Sequence, residues 1–171
     1  MKKILLISPG YPSEEDIYNN AFVHSRIIQY QKNGLDINVF SLDKQNNKDY
    51  TYEGVKIMRG SHKKLKDILL NQNYENIVVH FGFRKTLKTI VKHSPSSKLF
   101  IFVHGVEALG WYRRLFTFNI KKPHRFIGYI LFNTWQMIYL HTFIRNKSID
   151  KTFIFVSKWM KDIMEKDTLY L

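Results

Sequence analysis

The sequence predicts an α/β fold, a doubly wound parallel sheet with helices on both faces, in one domain. Two observations carry that expectation. Short apolar runs alternate with segments whose apolar residues recur at helical spacing, the order that strand, crossover and parallel strand impose. Two of the runs, NIVVHFG at residues 76–82 and KLFIFVHG at 98–105, are nearly continuous, as strands buried on both faces must be. A length of 171 residues suits one domain, and 44% hydrophobic with 15% aromatic residues excludes a disordered chain.

The elements follow in order. Residues 3–8 form a short apolar run closed by Pro9, Gly10 and Pro12, which reads as a strand and a loop. Asn19 or Asn20 is placed to cap a helix in which Val23, Ile27 and Tyr30 share a face, and Gly34 is its stop. DINVFSL, residues 36–42, is the second strand. A polar stretch over residues 43–52 then leads through Gly54 into VKIMR, the third. Ser61 caps a helix striped by Leu65, Ile68 and Leu69; NIVVHFG is the fourth strand; Leu87, Ile90 and Val91 stripe a helix broken at Ser94-Pro95. KLFIFVHG is the fifth strand and KTFIFVS, residues 151–157, the last, with Met160, Ile163 and Met164 marking the closing helix. Right-handed crossovers then put helices on both faces.

Charge and composition narrow the partner. The 27 Lys and Arg against 14 Asp and Glu give a formal net charge of +13, which suits a nucleic acid, an anionic membrane or a phosphorylated small molecule. The absence of cysteine excludes disulfides, thiolate metal sites and a Cys nucleophile, and agrees with a reducing compartment. MKKILLISPGYP has the basic start of a signal peptide, but its apolar run is too short and no small-residue cleavage site follows, so it reads as the first strand of a cytoplasmic protein.

Three strand ends offer chemistry. The first, ISPGYPS, has Gly10 but no G-x-G-x-x-G, which disfavours a nicotinamide enzyme; its glycine either shapes a turn or lets the backbone approach a phosphate or sugar. The second and third end in His80 and His104. Parallel strands point these ends at one rim, so the two imidazoles can share a cleft, as structural residues or as general base and sugar-hydroxyl ligand. Glu107 is the only carboxylate between Asn76 and Ile149. It either balances a helix N-terminus or orients His104 or accepts from substrate hydroxyls, and H-x-x-E without further ligands is weak evidence for a metal.

Residues 111–151 are aromatic and basic, with Trp111, Tyr112, Phe116 and Trp135 among Arg113, Arg114, Lys121, Lys122 and Arg125. That mixture suits contact with an anionic membrane. FIGYILFNTWQMIYL is shorter than the ~20 apolar residues needed to span a bilayer, so it lies on the membrane or inside the protein. No RNP-like or helix-turn-helix pattern supports nucleic acid as the partner. A standalone basic module binding an anionic membrane surface or nucleic acid, or a carbohydrate- or partner-binding module, is the alternative to an enzyme.

ISPGYPS, AFVHSRIIQYQKNGLDINVFSL, YEGVKIMR, VVHFG, FVHGVEAL and FIFVSKWM, in this order, resemble successive landmarks of the N-terminal domain of family four (group 1) retaining glycosyltransferases of GT-B fold. The resemblance implies a Rossmann-like domain over residues 1–171 that holds the acceptor, with a donor-binding C-terminal domain beyond Leu171 and no activity in this chain alone. It implies that His104 contacts the transferred sugar, that Gly10 and Tyr11 lie in the loop nearest the donor phosphate, and that His80, Glu107 and Arg84 hold the acceptor. Ser157 matches the serine that ends the last strand, whereas Asn20-Ala21 stand where the family often has a glycine pair. The implied partners are a nucleotide-sugar and a lipid-linked or oligosaccharide acceptor at the inner face of a bacterial plasma membrane, with no cofactor and no metal, in surface polysaccharide synthesis.

Overall fold

The computed structural model describes residues 3–117 and 123–169. In chain order the elements are β1 (Ile4–Ser8), α1 (Ala21–Lys32), β2 (Ile37–Leu42), β3 (Tyr50–Tyr52), β4 (Val55–Gly60), α2 (His62–Asn71), β5 (Asn76–His80), α3 (Arg84–His93), β6 (Lys98–Val103), a 3-10 helix (Trp111–Thr117), α4 (Pro123–Arg145), β7 (Lys151–Phe155) and α5 (Lys158–Leu169). The strands lie in the order β3-β4-β2-β1-β5-β6-β7, with every pair parallel except β3 with β4. This is the expected Rossmann-like doubly wound sheet.

Strand alternation divides the core in two. Leu6 faces Val23 and Ile27 of α1, together with Val39 and Ile57, in one cluster. Leu5 and Ile7 face the other way, into a cluster shared with Leu65 and Leu69 of α2, Leu87 and Ile90 of α3, Leu140 of α4 and Met160 of α5. Leu87 and Ile90 are completely buried, each stabilising the fold by about 2 kcal/mol through lost apolar hydration.

The chain leaves β1 through α1 towards β2 and β4, then returns through α2 to β5 on the other side of β1. Open α/β sheets bind ligands outside the C-terminal ends of strands at such a reversal. Here that crevice lies between β1 and β5.

Several local expectations change. The polar stretch contains a strand: Tyr52 pairs with Val55 across Glu53 and Gly54, whose φ of 44° and 80° make a tight two-residue hairpin. The added strand fixes the loop after β1, because the Tyr50 hydroxyl reaches the carbonyls of Tyr11 (3.2 Å) and Pro12 (3.1 Å). Asn20 and Ser61 stand at the caps of α1 and α2, yet neither side chain makes a capping hydrogen bond. Gly34 does end α1: at φ 75° its N–H bonds the Gln31 carbonyl and that of Leu35 bonds Tyr30, a Schellman closure. Glu107 precedes a turn and the 3-10 helix, so no α-helix dipole begins beside it.

The 23-residue α4 packs two polar residues, Asn133 and Gln136, inward. Gln136, 1% exposed, accepts from the Arg84 N–H (2.7 Å) and donates through Nε2 to the carbonyls of Gly82 and Glu107 (3.0 Å each). The loops after β5 and β6 carry backbone groups that no strand satisfies, and one amide answers three of them. Ile127, Leu131, Phe132, Trp135 and Ile138 consequently face outward, each 42–59% exposed.

Candidate functional site

β5 ends at His80 and β6 one residue before His104. The parallel register that sets His80 opposite Phe102 brings the imidazoles together, with His80 Nδ1 3.0 Å from His104 Nε2. One nitrogen donates and the other accepts, so the accepting ring at least is neutral. Burial, then the neighbouring His104 and Arg26, drive the His80 pKa down to about 3; burial and then Arg26 drive that of His104 to about 4.

Aromatic rings fix the pair. His80 stacks on Phe102 (centroids 4.6 Å apart) and His104 on Phe81 (4.3 Å), while Phe22 of α1 tilts over His104 at 4.9 Å. The Arg26 guanidinium lies 4.4 Å from the Phe102 ring centre. Phe81 has φ 60°, a left-handed conformation costing a side-chain-bearing residue about 1–2 kcal/mol, and such strain collects at functional sites. Gly105, at φ 125°, admits no other residue without strain, and a Cβ there would meet Met160 Sδ at 3.3 Å.

Glu107 is 1% exposed and holds this loop. Its Oε1 accepts from the His104 N–H (2.8 Å) and its Oε2 from that of Gly105 (3.1 Å). Burial raises its pKa although those N–H groups pull it down. Each oxygen is engaged by a backbone N–H, so Glu107 orients His104 through the backbone, one of the roles the sequence left open for it.

Beside the pair, at the sheet's reversal, lies a cavity of about 590 Å3 walled by the loops after β1, β2, β4 and β5. Gly10 and Tyr11 both line it. A Cβ on Gly10 would stand 2.2 Å from Oδ1 of the exposed Asn19, so the glycine lets that side chain lie against the loop. The Tyr11 hydroxyl is engaged by His24 Nδ1 (2.8 Å), and His24 Nε2 meets Glu53 Oε2 (3.0 Å). Burial, then nearby Tyr50 and Glu53, push the Tyr11 pKa up, leaving a phenol that anchors the loop. His80, His104 and Arg84 do not line the cavity; Arg84 is instead the first residue of α3. Ser157 precedes α5 and caps it, its Oγ accepting from the Met160 N–H at 3.1 Å.

The basic cluster divides. The Arg113 guanidinium pairs at 2.7 Å with Asp167, whose side chain is completely buried, while the Arg113 side chain itself stays 31% exposed, so its charge already has a partner within the protein. Arg114 lies 5.5 Å from the Tyr129 ring centre, and Arg125 is exposed. Lys121 and Lys122 lie outside the described residues. Among the described residues no three His, Asp or Glu side chains gather to hold a metal ion, and no helix is long and apolar enough to cross a membrane.

Phe22, Arg26, His62, Lys44 and Lys85 escaped the sequence reading. Phe22 and Arg26 sit one position before the Val23–Ile27 stripe, so they share the neighbouring face of α1; that offset was the signal for them.

No family model matches the chain, and no curated protein matches it. Among solved structures, the crystal structure of a "Putative exported protein" from Burkholderia pseudomallei is similar at 16% identity, covering 91% of this chain and 72% of that one with a TM-score of 0.45. A resemblance that loose carries no argument about activity or location.

Proposed function

We propose that this chain is the acceptor-binding half of a retaining, two-domain GT-B glycosyltransferase. It serves transfer of a sugar from a nucleotide-sugar to a hydroxyl of a lipid-linked or growing saccharide, in bacterial surface polysaccharide synthesis. The observation that carries the reading is the neutral His80–His104 pair on the C-terminal rim, next to the crevice at the sheet's reversal. His104 Nε2 is engaged by His80, which leaves Nδ1 as the nitrogen with which a neutral imidazole meets a sugar hydroxyl. Glu107 and Gln136 hold the two strand-end loops that present it. The donor phosphates fall to the second domain, where basic groups and a helix N-terminus stabilise them without a metal.

Native product isolated from its source cells with an antibody against this chain is expected at about twice the 20.5 kDa of these residues. It should transfer sugar with retained anomeric configuration, read by NMR of the product. A 20.5 kDa product that transfers nothing without a partner removes the two-domain reading.

The outward face of α4 supports the peripheral membrane contact that this reading places at the inner face of the plasma membrane. Leu131 and Trp135 are 59% and 58% exposed, Phe116 of the 3-10 helix is 82% exposed, and Arg125 stands at the start of α4. Rings and aliphatic side chains enter the headgroup region while cations meet anionic lipid. Vesicles containing phosphatidylglycerol are expected to retain the chain in excess duplex DNA, and neutral vesicles to retain it less. Trp135→Glu should weaken retention about tenfold or more, since each buried apolar side chain contributes about 2 kcal/mol. Displacement by DNA would assign the basic surface to nucleic acid.

A further inference from the structure

We propose that the cavity at the sheet's reversal binds the phosphate of an amphiphile, with Lys44 and Lys85 gripping the phosphate and the apolar chain leaving over Phe132 onto the outer face of α4. Lys44 follows β2 and Lys85 lies in the first turn of α3, yet both line the same cavity. Among the described residues neither ammonium has a hydrogen-bond or ion-pair partner. Nearby charges are already engaged. Arg59 Nε donates to the Lys48 carbonyl (3.1 Å) with its guanidinium 4.4 Å from the Tyr50 ring centre, and Lys64 holds Asp49 at 2.6 Å. Asp43, the carboxylate lining the cavity, accepts from the N–H groups of Gln45 (2.8 Å) and Asn46 (3.1 Å).

Between the lysines sits a polar pair. His62 Nε2 lies 3.2 Å from Thr86 Oγ1, and Thr86 is 2% exposed. Burial, then Lys85 and Lys44, lower the His62 pKa to about 4, so both ammonium groups lie close enough to act on this ring. Two cations facing one sheltered space repel each other, and a phosphate between them replaces that repulsion with charge-assisted hydrogen bonds. The first turns of α2 and α3 add N–H groups of the same sign.

The exit from the cavity is apolar. Phe83 and Phe132 both line it with ring centroids 6.4 Å apart. Phe132 is 52% exposed and continues into Leu131, Trp135 and Ile138 on α4. A soluble sugar phosphate would account for the lysines but not for this exit, whereas a phosphate carrying a hydrocarbon chain uses both. The volume, about 590 Å3, lies within the range of small-molecule sites and leaves room for more than the phosphate. The assignment rests on the acceptor reading for the identity of the sugar-bearing molecule, but its binding is measured with no donor present.

The test titrates the 171-residue chain with inorganic phosphate, n-octyl phosphate below its micelle concentration, and octyl glucoside, by calorimetry and by NMR of the His62 ring. Octyl phosphate is expected to bind about tenfold or more tighter than inorganic phosphate, and octyl glucoside least. Lys44→Ala with Lys85→Ala, both exposed positions, should weaken both phosphates by about 10²-fold, and Phe132→Ser should weaken octyl phosphate alone. The His62 pKa should rise when phosphate is bound. Equal binding of octyl phosphate and phosphate would overturn the amphiphile, as would octyl phosphate binding that survives the double substitution. Octyl phosphate binding without sugar transfer by the native enzyme would sink the glycosyltransferase reading alone, and transfer without octyl phosphate binding would sink this one alone.

Discussion

Turnover of the proposed two-domain enzyme is expected to fall by about 10²-fold or more when His104 is replaced by alanine, with little change in acceptor KM. The ring is half-buried on the rim, stacked on Phe81 and hydrogen-bonded to His80, so its one free nitrogen is held in place before substrate arrives. Removing it leaves the His80 Nδ1 without its partner, which costs about 1–2 kcal/mol of stability and leaves the domain folded. Unchanged turnover in a folded variant would take His104 out of the reaction centre. The pH profile gives a second reading. With folded pKa values of about 3 and 4 both rings stay neutral from pH 6 to 8, and kcat should show no histidine inflection there. An inflection near 6.5 that disappears in His104→Ala would break the neutral pair. Stability follows the opposite half of the scale: the unfolded histidines take up protons below about 6.5 while the folded ones do not, so the pair makes the fold less stable as pH falls from there towards 3.

Asp167→Ala is expected to be the most destabilising single change in the polar interior, by about 3 kcal/mol. That corresponds to a melting temperature lower by roughly 6–12 °C in a chain of this size. The carboxylate, with its side chain completely buried on α5, accepts from Arg113 Nε (2.8 Å), the Tyr112 hydroxyl (2.6 Å) and the Gly110 N–H (2.8 Å). It ties the 3-10 helix to the closing helix. Most of the loss comes from the buried Gly110 N–H left unpaired, because Arg113 (31% exposed) and Tyr112 (49% exposed) can return to water. Burial alone would raise the Asp167 pKa; the bonds from Arg113, Tyr112 and Gly110 outweigh it and hold the carboxyl below the ordinary range. The stabilisation is therefore complete above the unfolded pKa of about 3.9 and is lost as pH falls through the lower folded value. A melting temperature of Asp167→Ala within 2 °C of the parent would show that the cluster contributes nothing net.

The alternation of apolar residues was enough to place six of the seven strands. The structure then divides Leu6 from Leu5 and Ile7 between two clusters, because side chains alternate in direction along a strand. That His80 and His104 share a rim was legible, because parallel neighbours end on one side; their contact was decided by the register, which sets His80 opposite Phe102 and His104 two residues further on. β3 was hidden because its hairpin turns on Glu53-Gly54 in place of the usual Asn-Gly or Asp-Gly, inside a polar stretch with little apolar pattern. Local sequence could not assign Glu107 to the His104 backbone, or Arg113 to Asp167, 54 residues away. Nor could it turn α4 so that Gln136 is buried and Trp135 exposed. In each case the partner is a loop N–H, a carbonyl or a charge delivered by another part of the chain. Which polar side chain is drawn inward depends on which backbone groups the fold leaves unsatisfied. Lys44, His62 and Lys85 are three surface-type residues in sequence; they form one cationic cavity only because the winding of the sheet sets the loops after β2, β4 and β5 around the same strand ends.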